Sequence, residues 1–199
     1  MSTYKNVIFD FSDTLCRFVA IDYLTELLGG DAEHAKKLHH TIFGSQAWRN
    51  YDRGKVTEQE NKRILLDLVD PSDRAVADIY LDHWHEHYEI IDGMPQIISD
   101  LKSRGIGVYL LSDYPERFEK CWERFSFLHQ VDGKLVSYQV GIGKTEPEFF
   151  TMLLEKYNLK AEECIFFDDR ENLVQSGRSV GIDGRVFIDA PTTRAALGI

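Results

Sequence analysis

The sequence predicts an α/β fold in which a parallel sheet is covered by helices and interrupted by one helical insertion. Three observations predict it. Short, unbroken apolar runs recur along the chain, as in "KNVIFD" at 5–10 and "CIFFD" at 164–168. Amphipathic helical patterns lie between those runs. A long stretch after the first run, about 18–92, carries helical patterns and no convincing strand.

Residues 5–10 are too continuously apolar for a half-exposed strand and suit a parallel strand covered on both faces. Similar runs stand at 106–111 (IGVYLL), 164–168 and 185–189 (RVFID), with a weaker one at 134–138 (KLVSY). In "MPQIISDLKSRG", Ile97, Ile98 and Leu101 share a face, Pro95 lies near the start and Gly105 at the end, which predicts a helix. Phe149, Phe150, Leu153, Leu154 and Tyr157 form a second apolar stripe over 147–157. Strands alternating with helices call for right-handed βαβ units and a parallel sheet. Within 18–92 the patterns are Ile21/Leu24/Leu27/Leu28, Ile64/Leu65/Leu68 and Val76/Ile79/Tyr80, and Thr57 and Glu60 have the spacing of a capping box. The expected organisation is a core of residues 1–17 and 93–199 with an inserted helical unit at 18–92.

A chain of 199 residues can bury about two-thirds of its unfolded surface as one domain with an insertion. Its net charge of −10 leaves no basic footprint for nucleic acid. Cys16, Cys121 and Cys164 are odd in number and form no CxxC pair, which suits packing thiols in a reducing compartment. The start "MSTYKNVIFDF" has no signal-peptide pattern and no apolar run reaches membrane-span length, so a cytoplasmic location without membrane partners is expected. A monomer or a homodimer is compatible with the sequence.

In an open parallel sheet, ligands bind beyond the carboxyl ends of the strands. The polar residues expected there are Asp10, Ser112 followed by Asp113, Lys144 before a helix in "GIGKTEPEFF", and the pair Asp168–Asp169. They supply a carboxylate nucleophile, a hydroxyl donor, a cation and paired carboxylates for a metal, the set that phosphoryl transfer asks for. Asp10 and Asp169 could hold Mg²⁺, a hard cation with oxygen ligands. Ser112 and Lys144 would bind non-bridging oxygens.

These segments, in this order, resemble the haloacid dehalogenase (HAD) superfamily. Its first motif, DxDxT after an apolar strand, is similar to "DFSDT" at Asp10, Asp13 and Thr14, with Ser12 departing from it. Its second is similar to "LLSDYP" at Ser112, its third to "KTEPEFF" at Lys144 and its fourth to "FFDDREN" at Asp168 and Asp169. The insertion resembles the small helical cap of one family class, including "W..YD.G..T..E" from Trp48 to Glu60. The resemblance implies a Rossmann-like core with strand order 5-4-1-2-3. It implies an aspartyl-phosphate on Asp10, Mg²⁺ held by Asp10, Asp169 and the Ser12 backbone carbonyl, and a small phosphorylated metabolite as substrate. Asp168 is expected either to reach the metal through water or to orient Lys144.

Ser12 stands where most family phosphatases carry a second aspartate that protonates the leaving alcohol and then activates water. Serine does neither as a carboxylate does, and such help contributes about 10²–10⁴-fold. Asp13 lies one step off that position. Three activities stay open: a phosphatase, a phosphate-ligand binder or regulatory protein with weakened catalysis, and a dehalogenase. The acidic pair argues for a metal and against the last. Arg49, beside Trp48, suits anion recognition from the inserted unit. Of His83, His85 and His87 in "YLDHWHEHYE", His83 and His87 lie one helical turn apart, with no cysteine or third ligand evident nearby, and the segment reads as one polar-faced helix. Asn172 sits one residue early for the asparagine that often follows the acidic pair.

Overall fold

Among residues 4–199, which the computed structural model describes, seven strands follow in chain order. They are β1 (Asn6–Phe9), β2 (Cys16–Phe18), β3 (Tyr88–Ile90), β4 (Gly107–Ser112), β5 (Gly133–Val136), β6 (Cys164–Asp168) and β7 (Asp183–Val186). Five of them form one sheet in the order β5-β4-β1-β6-β7, with all neighbours parallel. Counted along these five strands alone and read from the β7 edge, this is the order 5-4-1-2-3. β1 lies at the centre, with Val7 level with Val108 on one side and Ile165 on the other.

Alternation along β1 divides the interior, because successive side chains of a strand point to opposite faces. Val7 and Phe9 enter a large cluster with Ile97, Leu101 and Val108. Ile8 enters a smaller one with Phe149, Phe150, Leu153 and Phe166. β6 is buried at every position, as its unbroken apolar run requires.

Ten α-helices are described: α1 (Ala20–Leu27), α2 (Ala32–Phe43), α3 (Gln46–Asp52), α4 (Glu58–Leu68), α5 (Arg74–His83), α6 (Met94–Ser103), α7 (Phe118–Arg124), α8 (Pro147–Tyr157), α9 (Glu171–Ser179) and α10 (Ala190–Leu197). The end signals act as the residues dictate. Pro95 falls in the first turn of α6, and Gly105 takes φ +73° just beyond its end. α4 begins with the Thr57–Glu60 capping box, both reciprocal bonds being present. α1 to α5 all lie between β1 and β4 in the chain.

Three expectations are corrected. The insertion is not free of strands: β2 and β3 pair antiparallel where the chain leaves and rejoins the sheet. At three residues each, they are too short to show a period-2 pattern. The helix expected through "YLDHWHEHYE" ends at His83 and gives way to a 3₁₀ turn at Trp84–Glu86 and then β3. His85 is buried there within 2.7 Å of Arg117, and burial pushes its imidazole down to about 4, so it stays neutral. The last strand runs Asp183–Val186 rather than 185–189; Ile188 is 70% exposed and Asp189 instead caps α10 through the Thr192 N–H at 2.7 Å.

Phe11 fixes the segment that follows β1. Fully buried, it packs against Tyr88, Tyr114, Phe118 and Phe125 at centroid distances of 5.1, 5.8, 5.3 and 6.2 Å. Phe11→Ala is expected to cost about 3–5 kcal/mol through the cavity it leaves, read as a lower urea midpoint by circular dichroism. A loss under about 1 kcal/mol would contradict this anchoring role.

Candidate active site

The loop after β1 is built by its own backbone. Leu15 and Cys16 N–H both donate to Phe11 O, at 2.9 and 3.0 Å, and Asp13 N–H donates to Cys16 O at 2.7 Å. The turn needs a left-handed residue, and Asp13 supplies it at φ 56°, a conformation Asp tolerates better than most. The Asp13 carboxylate then accepts the Phe18 N–H at 3.0 Å. The Ser12 hydroxyl lies 3.0 Å from the Tyr88 hydroxyl on β3.

One buried cation organises the centre. Lys144 is completely buried, and its Nζ lies 2.7 Å from Asp10 Oδ1 and 2.5 Å from Asp168 Oδ2. The second Asp168 oxygen accepts the Arg170 N–H at 2.9 Å. Burial opposes ionisation of Asp10 and raises its carboxyl, while the neighbouring ammonium acts the other way. For Lys144 the flanking carboxylates outweigh burial, so the ammonium is held charged. One ammonium facing two buried carboxylates leaves an excess of negative charge.

A cavity of about 250 Å³ opens over Asp10, Ser12, Lys144, Asp169 and Arg170. Its far wall is aromatic, formed by Phe18, Phe43, Trp48, Trp84, Tyr88 and Tyr114. Asp13, Asp52 and Asp113 add carboxylates to the lining. Asp113 is engaged on both sides: it accepts the Lys144 N–H at 2.8 Å, and its other oxygen lies 3.8 Å from Arg170.

The fold thus gathers Asp10, Ser12, Lys144, Asp168 and Asp169 at the carboxyl ends of β1 and β6. Ser112 ends β4 beside them, buried, with an Oγ that has no hydrogen-bond partner among the described residues. Arg49 is the exception. Its guanidinium is exposed and bonds Gln46 Oε1 on its own helix and Gly44 O at the end of α2, so it does not reach the cavity. The neighbouring Trp48 lines the cavity instead. Sequence reasoning missed Arg170, which directly follows the acidic pair. It also missed Asp52, which sits inside the quoted "W..YD.G" segment, four residues after Trp48, on the helical face that Trp48 marks.

The donor set fits a divalent cation. Asp10, Asp168 and Asp169 each offer a carboxylate oxygen, and these oxygens lie within 4.8 Å of one another. All are hard ligands of the kind Mg²⁺ takes, and the negative excess around Lys144 is what such an ion would offset. The His83–His87 segment forms no such group.

A family model described as haloacid dehalogenase-like hydrolase matches residues 4–181. The chain is 24% identical over 193 residues to a sesquiterpene phosphatase of Aspergillus oryzae, covering 96% of this chain and 94% of that protein. It is 21% identical over 184 residues to a flavin mononucleotide hydrolase of Arabidopsis thaliana, covering 92% and 72%. Among solved structures, a HAD family enzyme of Bacteroides thetaiotaomicron in complex with magnesium and inorganic phosphate superposes with a TM-score of 0.67 at 19% identity, over 92% of this chain and 93% of that one. An L-2-haloacid dehalogenase of Xanthobacter autotrophicus superposes with a TM-score of 0.69 at 14% identity, over 90% and 75%.

Removing the ammonium while keeping its bulk tests the centre. Lys144→Met leaves buried carboxylates unpaired and is expected to cost about 3–5 kcal/mol at pH 7. The Asp10 carboxyl, already raised by burial, then lies further above its unfolded value, so it binds a proton on folding. The lost stability should return as pH falls toward about 4 and widen as pH rises. Urea midpoints across that range check this; a deficit independent of pH would contradict it.

Proposed function

The chain belongs to the haloacid dehalogenase-like hydrolases, and on that premise we propose that it is a Mg²⁺-dependent phosphatase. Its substrate is a small phosphorylated metabolite, and its reaction passes through an aspartyl-phosphate on Asp10. Residues 1–17 and 93–199 form the catalytic core and 18–92 a helical cap over it. The observation that carries this reading is the Asp10 carboxylate at the end of β1, held at 2.7 Å by a fully buried Lys144 beside two further carboxylates.

Asp10, Asp169 and the Ser12 carbonyl, with Asp168 behind them, would hold the cation; bound there, it offsets repulsion between a carboxylate and a phosphate dianion. Lys144 orients the Asp10 carboxylate and presents charge to the non-bridging oxygens. Ser112 offers them a hydroxyl that no described residue engages. Asp10 attacks phosphorus and the leaving oxygen departs on the opposite side; water then releases phosphate and restores Asp10. The aromatic wall excludes bulk water from this step. The cavity volume of about 250 Å³ lies below the roughly 300–1,000 Å³ of drug-sized sites, which favours compact substrates. No described helix is long and apolar enough to cross a membrane. The three thiols are free and buried, which supports work in a reducing cytoplasm.

Ser12 favours a second reading, a phosphate binder that has lost turnover. An aryl phosphate separates the two, because its leaving group needs little protonation. Hydrolysis of 4-nitrophenyl phosphate is expected to require Mg²⁺, to stop with EDTA and to fall to background in Asp10→Asn. If the wild type does not exceed that variant while inorganic phosphate still binds by calorimetry, the binder reading replaces the enzyme.

A further inference from the structure

We propose that Asp52, carried over the site by the last residue of α3, is the acid that protonates the leaving oxygen and the base that later activates water. This rests on the phosphatase reading above and supplies the function that Ser12 lacks.

Asp52 lines the same cavity as Asp10, Lys144 and Asp169. The other carboxylates of that cavity are committed elsewhere. Asp10 pairs with Lys144, and Asp169 belongs to the cation group. Asp113 accepts the Lys144 N–H and faces Arg170. Asp13 closes its own loop on the Phe18 N–H. Asp52 is held differently, by the indole N–H of Trp48 one turn earlier on the same helix. A neutral donor aims the carboxyl and favours its anion less than a directly paired cation would. Of the cations, Arg170 pulls hardest on it but is shared with Asp113, and Arg53 is spent on Glu146 at 2.8 Å and on Thr145.

Its position is fixed from behind. The Asp52 carbonyl accepts the Ser137 hydroxyl at 2.5 Å, across the boundary between the helical insertion and the sheet. Two residues on, Gly54 at φ +62° brings its Cα against Tyr138, where an added Cβ would meet the carbonyl at 2.5 Å. Only a glycine allows that approach. Burial, reinforced by the charge of Asp113, pushes the Asp52 carboxyl well above the usual range. A carboxyl whose surroundings disfavour its charged form is suited to donate a proton.

The step balances. As the Asp10 oxygen bonds to phosphorus, the phosphorus–oxygen bond to the leaving group breaks, and its electron pair takes the Asp52 proton to give an alcohol. Asp52, now a carboxylate, takes a proton from the water that attacks the aspartyl-phosphate. Inorganic phosphate leaves, and both aspartates regain their starting states.

The test compares sn-glycerol 3-phosphate with 4-nitrophenyl phosphate in the wild type and in Asp52→Asn, with Mg²⁺ present. The wild type should turn over both. In the variant, kcat on the alkyl ester should fall by about 10²–10⁴-fold, at least about tenfold more than on the aryl ester, with KM little changed. Should the variant fail to fold, Trp48→Phe removes the donor that aims the carboxyl and should show the same preferential alkyl loss. An equal fall on both esters, a rise in KM with kcat intact, a wild type inert toward the alkyl ester, or Asp13→Asn alone reproducing the alkyl loss would each overturn the assignment. Aryl turnover above the Asp10→Asn background in those cases leaves the phosphatase reading standing; its absence overturns both.

Discussion

A single buried ammonium between two buried carboxylates is the constraint on which the site depends. Lys144 has no exposure to solvent, so its charge must be met by protein groups. It is met by Asp10 from β1 and Asp168 from β6, adjacent parallel strands of the central sheet. The loop bearing Lys144 is in turn tied to Asp113, directly after β4. Three strand ends and one loop are therefore held in mutual register by ionic contacts, not by apolar packing alone. Such a centre adds little net stability, because desolvation offsets the attraction. What it provides is position: the Asp10 carboxylate has one orientation, with one oxygen engaged.

The fold was legible because its strands are buried on both faces. Unbroken apolar runs such as those of β1 and β6 leave few alternatives, and Thr57, Glu60, Pro95 and Gly105 mark helix ends by chemistry that acts locally. The site residues at those strand ends were legible for the same reason, since a parallel sheet delivers its strand ends to one edge. The β2–β3 ribbon was not, because three-residue strands carry no periodicity. Arg49 misled because a guanidinium beside a cavity-lining Trp48 can turn along its own helix, and only the neighbouring carbonyls decide which way it goes. Asp52 and Arg170 were hidden for a related reason. A polar residue on a short helix, or one step past a motif, gains its meaning from what lies opposite, which no local pattern records.

The aromatic wall links the two parts of the molecule. Phe11, from the loop after β1, packs on Tyr88 of β3 and on Tyr114, which follows β4. Tyr114 also meets Trp84, which meets Trp48 of α3 at 5.0 Å. Rings of this size bury much area at low entropic cost. The same contacts that stabilise the insertion therefore also shape the volume above Asp10, so substitutions made to alter substrate preference here will also alter stability.

The β2–β3 ribbon has a mechanical consequence. Both chain crossings between the insertion and the sheet run through one antiparallel pair, joined at Arg17 with Glu89 and at Phe18 with Tyr88. Paired strands resist shear and independent twisting, so the helices cannot swivel on two loose tethers. Two ion pairs, Arg53–Glu146 and Arg117–Glu58, tie the same helices to the rest of the molecule a second time, and salt, which screens partly exposed charges, loosens that second tie and leaves the ribbon in place.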